Sequence, residues 1–152
     1  MSSPLLGHLA QEEAAIGEFI DLLDQEAAAM THGNFSDLPE LANRKSQLAD
    51  QIVLLSHRRE MEQVSLGYAA GRSGADAIAA AGGEALQNAW HNLRERAALA
   101  HERNHRNGVM IHTHLDFTRQ SISFLQAKGQ PLYGPDGTHS TGASSGNSLA
   151  LG

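Results

Sequence analysis

With 152 residues, a net charge of −6 and no cysteine, the chain has the length of one domain and can form neither disulfides nor thiolate metal sites. Aromatics are 5% of residues and alanine is abundant, a composition that suits helix seams better than sheets. The acidic balance argues against a nucleic-acid partner, which would need a basic face.

The first predicted helix covers residues 4–32. Leu9, Ile16, Phe19, Leu23 and Met30 recur at helical spacing, and Ile20 and Ala27 widen the stripe. It is expected to end at THGNF, where Gly33 suits a left-handed cap. The opening residues lack a basic stretch and meet Glu12 and Glu13 before a signal-peptide core could form, so a cytoplasmic location is expected. No apolar run approaches membrane-spanning length, so no membrane insertion is expected. Residues 1–43 hold eight acidic side chains and no Lys or Arg, whereas all eleven Lys and Arg lie from Arg44 onward against nine acids. The simplest use of that asymmetry is an acidic first helix packed on a mildly basic remainder.

The second helix, residues 38–67, opens at SDLPE, with Asp37 as the expected cap, Pro39 in the first turn and Glu40 at the capping-box position. Its seam reads Leu41, Lys45, Leu48, Ile52, Leu55, Arg59, Glu62 and Leu66, a heptad alternation with polar residues at three places. GYAAGRSGADAIAAAGG then breaks the pattern; its five glycines predict a long connection with one short helical turn at residues 73–81.

The third long helix, residues 84–128, keeps its alternation through Leu86, Trp90, Leu93, Ala97, Ala100, Asn104, Asn107, Ile111, His114, Thr118, Ser121 and Leu125. Continuous, it would be roughly 63 Å long against roughly 40 to 45 Å for the other two. In an antiparallel bundle its last three turns then lack a full set of neighbours. Ile111, Leu115, Phe117, Ile122, Phe124 and Leu125 lie in or beside those turns and are candidate partner-binding residues, unless the glycine-rich connection or the segment near Pro4 folds over them. Asn104 and Asn107 stand at seam positions, where polar groups fix register, and Gly108 would let another backbone approach closely.

The same helix contains AHERNHRNGVMIH, in which His101, Glu102 and His105 spell HExxH. Two imidazoles one turn apart can share zinc while the Glu acts as general base, so a zinc-dependent hydrolase is one reading. The longer pattern fails by a residue: Ile111 holds the third-ligand position and the histidine stands at His112. Along an unbroken helix His112 lies about 10.5 Å beyond His105, too far to complete one metal's shell. The three histidines form a stripe on the flank of the seam. No catalytic residue, metal site or cofactor is expected; His101 and His105 would at most chelate an adventitious ion. The overall reading is all-α: an antiparallel three-helix bundle or coiled coil over residues 1–129 with a long third helix, followed by a Gly-, Ser- and Thr-rich disordered tail at 130–152.

ERNHRNGVMI, followed some twenty residues later by PLYGPDG, resembles the flagellar export chaperone FlgN family. There a long helix carries N-x-x-N-G with an aliphatic pair after it, and Tyr-Gly-x-Asp-Gly opens the tail. Lys45, Leu48, Leu55 and Arg58 or Arg59 echo the family's middle helix, and Trp90, Leu93 and Arg94 the head of its long one. The resemblance implies a cytoplasmic chaperone of flagellar type III secretion. It would bind the hook-filament junction proteins FlgK and FlgL before export and deliver them to the cytoplasmic domain of the export gate protein. It also implies gate contact through Tyr133, with Asp136 and Gly137 completing the motif, and cargo binding by the C-terminal part of the chain. A structural helical adaptor or self-associating coiled coil is the alternative of another class.

Overall fold

Four α-helices and one 3-10 turn, with no strand, make up residues 4–128, the residues described in this computed structural model. The all-α expectation is met. The helices are α1 (Pro4–Thr31), α2 (Leu38–Ser65), α3 (Arg72–Ala81) and α4 (Glu84–Ala127). The expected tail at 130–152 lies outside the described residues. Among the described residues no helix is long and apolar enough to cross a membrane.

Local chemistry sets the boundaries. Gly33, at φ 77, lets the chain turn back so that Asn34 N–H reaches the Ala29 carbonyl at 2.7 Å, closing α1. Asp37 does not act as the expected side-chain cap. It ends the 3-10 turn Phe35–Asp37 with helical φ, ψ of −84 and −15, and its carboxylate makes no capping bond. A cap needs extended dihedrals to swing its oxygen toward the first free N–H groups. Pro39 does sit in the first turn of α2.

The described residues divide into two units, with the boundary between residues 104 and 105. In the first unit α1 is central, because it buries two faces. Leu5, Leu9, Ile16, Ile20 and Leu23 pack with Ala75, Ile78 and Ala79 of α3 and with Trp90, Leu93 and Ala100 of α4. Ala15, Leu22 and Ala29 pack with Leu41, Leu48 and Leu55 of α2. The connection expected to hold one short turn is therefore a ten-residue helix that closes the core.

Two polar layers cross this core. In one, Arg59 Nε donates to Glu12 Oε1 at 2.6 Å and the guanidinium lies 5.1 Å from the centre of the Trp90 ring. In the other, Lys45 Nζ bonds Glu26 Oε1 at 3.1 Å and Asn104 Oδ1 at 3.0 Å. Each layer takes one residue from α1, one from α2 and one from α4. On every helix the two layers are fourteen residues apart, two heptads or about 21 Å. Their order rises along α1 and α4 and falls along α2, which fixes an up-down-up arrangement of these three helices within the unit.

The charge asymmetry of the sequence is used as expected. Glu12, Glu13, Asp24 and Glu26 of α1 pair with Arg59, Arg96, Arg103 and Lys45 of later helices. Four seam positions differ from expectation: on α2 Gln63, fully buried, takes the place foreseen for Glu62, and Leu66 is exposed, while on α4 Ala97 and Thr118 are exposed. Gln63 accepts from Arg59 Nη1, while its Nε2 donates to the carbonyls of Ala69 and Ala70 at 2.8 Å, with that of Gly71 at 3.1 Å. A four-residue step after Arg59 brings Gln63 onto the buried face and ties the following loop to it.

Candidate partner-binding surface

The described part of the second unit, residues 105–128, is the latter part of α4 and the turn at Lys128. The helix runs unbroken through Gly108, which costs about 1 kcal/mol in propensity but inserts no turn. A Cβ added at Gly108 meets nothing within 4 Å, so among the described residues the close backbone approach expected there is not made. Asn107 is 1% exposed, while Asn104, in the first unit, is half-buried on Lys45.

The apolar residues of this stretch lie on two faces. Asn107, Ile111, His114, Leu115, Ser121 and Leu125 are buried or half-buried, and Ile122 sits at the edge of that arc. Phe117 and Phe124 are 66% and 60% exposed. At 100° per residue they stand roughly 130° around the helix from the centre of Ile111, Leu115 and Leu125. Met110, half-buried, precedes Phe117 by seven residues, as Phe117 precedes Phe124, so the second face is itself a heptad row. The six candidate residues therefore do not form one patch: Phe117 and Phe124 are offered to solvent, whereas Ile111, Leu115 and Leu125 belong to the more covered arc. Lys128 Nζ lies 5.3 Å from the Phe124 ring centre, placing a cation at one end of the exposed row.

His101, Glu102, His105 and His112 are all exposed, along a helix that continues where a third zinc ligand would require a turn. Among the described residues no group of three or more His, Cys, Asp or Glu is arranged to hold a metal. Tyr133, Asp136 and Gly137 lie outside the described residues.

A second exposed apolar stripe was missed by the heptad reading. Val53, Leu54, Met61 and Val64 of α2 are exposed on the side opposite its buried seam, with Val53 68% exposed. Their spacing, with His57 between, is visible in the sequence as a helical row competing with the Leu48–Leu55 seam.

Up-and-down helices locked by buried polar layers, with apolar rows left on helix surfaces, define the class: a helical-bundle protein of coiled-coil type. The chain belongs to the FlgN family, since residues 1–141 match the family described as FlgN protein. Over 61 residues it is 38% identical to the flagella synthesis protein FlgN of Yersinia enterocolitica, and equally so to that of Y. enterocolitica serotype O:8 / biotype 1B (strain NCTC 13174 / 8081). That match covers 40% of this chain and 41% of each relative's length. No solved structure matches the chain.

Proposed function

We propose that this chain is a cytoplasmic chaperone of flagellar type III export, acting by binding alone and without cofactor or catalysis. It takes the junction proteins FlgK and FlgL before secretion and hands them to the export gate. The observation that carries the reading is the solvent-facing pair Phe117 and Phe124 on a FlgN-family helix. Exposed aromatics a heptad apart lose energy in water and gain it under a partner helix, each ring removing apolar area worth about 25 cal/mol per Å². Ile122, with Ile111, Leu115 and Leu125 on the other arc, contributes where cargo reaches around the helix. Tyr133, with Asp136 and Gly137, serves as the gate contact, on a separate stretch of chain so that cargo and gate can be held together.

The test is co-purification of the full chain with the C-terminal segments of FlgK and FlgL, read by hydrogen exchange. Protection over residues 108–128 is expected, and protection confined elsewhere would refute the cargo assignment. Tyr133→Ala should leave cargo binding intact and weaken gate binding; the reverse pattern would overturn the division of roles.

A further inference from the structure

The helix that closes the core differs from those around it. α3 is ten residues long, and Ile78 is its one large apolar side chain; its other buried positions are Gly74, Ala75 and Ala79. Glycines at positive φ stand on both sides of it, Gly67 at 91 and Gly83 at 93. Beneath it lie Leu5, Leu9, Leu86 and Trp90, and the small residues of α3 leave a void there, which Arg59 and Gln63 also line. Much of the hold is polar. Trp90 Nε1 donates to Asp76 Oδ1 at 2.7 Å, and Arg94 stands 3.7 Å from the same oxygen. The loop before α3 hangs on Gln63 through its carbonyls. A helix this short does not persist in water by itself, so α3 is helical because it is docked.

We propose that α3 is a hinged strap over an apolar groove between α1 and α4, latched by Asp76 on the Trp90 indole, and that it leaves the groove as a unit while α1 and α2 remain folded. Release uncovers Leu5, Leu9, Leu86 and Trp90 together. The glycines at either end absorb the change in backbone direction, and the α1–α2 core of Ala15, Leu22, Ala29, Leu41, Leu48 and Leu55 contains no residue of the strap.

The experiment uses the full chain and two readouts. One is native-state hydrogen exchange. The other is acrylamide quenching of Trp90, the chain's sole tryptophan. Amides of α3 should exchange at least about 100-fold faster than the slowest amides of α1, as expected of a sub-global opening. Asp76→Ala should speed α3 a further several-fold without altering α1, and should raise quenching of Trp90 in step. The proposal is overturned if α3 amides fall in the slowest class, or if Asp76→Ala leaves α3 unchanged or accelerates all helices alike. Rapid α3 exchange with unchanged Trp90 quenching would also overturn it, since α3 would then fray in place.

Discussion

Glu12 and Glu13 are adjacent acids of α1, each paired with an arginine, yet truncating them should have very different effects. The side chains of Glu12 and Arg59 are 6% and 8% exposed, whereas those of Glu13 and Arg96 are 30% and 51% exposed at 3.6 Å. Glu12→Ala leaves a buried guanidinium facing Gln63, Ser56 and the Trp90 ring without its counter-charge. The expected loss is about 3–5 kcal/mol, a large part of the roughly 5–15 kcal/mol that holds a domain. Glu13→Ala should cost under about 0.5 kcal/mol, because water screens that pair. Urea unfolding followed by helical circular dichroism distinguishes them: the midpoint should fall by more than about 1 M for Glu12→Ala and barely move for Glu13→Ala. Glu12→Leu combined with Arg59→Met should recover much of the loss, since both desolvation penalties leave together. Equal, small effects at the two positions would refute the view that burial of this layer governs its energetics.

Other changes probe the remaining features. Gly33→Ala, at φ 77, should cost about 1 kcal/mol or more, read in the same unfolding assay. Gln63→Ala strips partners from Arg59 and from the carbonyls of the α2–α3 loop, and should cost about 2–3 kcal/mol with faster proteolytic nicking after Leu66. Phe117→Ala with Phe124→Ala should change stability by no more than about 0.5 kcal/mol per site. Under the proposed function the same pair weakens cargo binding by about tenfold or more in calorimetric titration.

Much of this architecture could be read from spacing. The alternations along α2 and α4 located most of the buried faces, because a helix repeats its contacts at a fixed period whatever it packs against. The lack of basic residues before Arg44 likewise anticipated the four ion pairs that α1 makes with later helices. Three things were hidden. Ala15, Leu22 and Ala29 of α1 are buried because that helix is covered on two sides, and a single stripe describes only one. Gln63 is buried because the contact step after Arg59 is four residues, set by the loop carbonyls it serves rather than by any period of its own helix. α3 is a helix because a groove was waiting for it, and alanine with glycine gives little apolar signal from which a groove could be inferred. On α4 the candidate surface was legible as a set of apolar residues, but its division into two faces was not. Ile111 and Phe117 both looked available until exposure separated them.

The fourteen-residue spacing of the two polar layers also matters for structures the chain does not adopt. Sliding α2 along α1 by one heptad would bring apolar residues opposite apolar residues again, so the oily contacts discriminate poorly between the native pairing and its shifted copies. The charged residues do discriminate. A slip one way sets Arg59 against Leu5 and Lys45 against Phe19; a slip the other way sets Arg59 against Phe19 and Lys45 against Gly33. Both cations would lose their carboxylates in one movement, at several kcal/mol for each ion kept from water. The net contribution of Glu12–Arg59 and Glu26–Lys45 to the folded state can be near zero and the pairs still be decisive, because their main effect is to raise the free energy of both one-heptad misalignments during collapse.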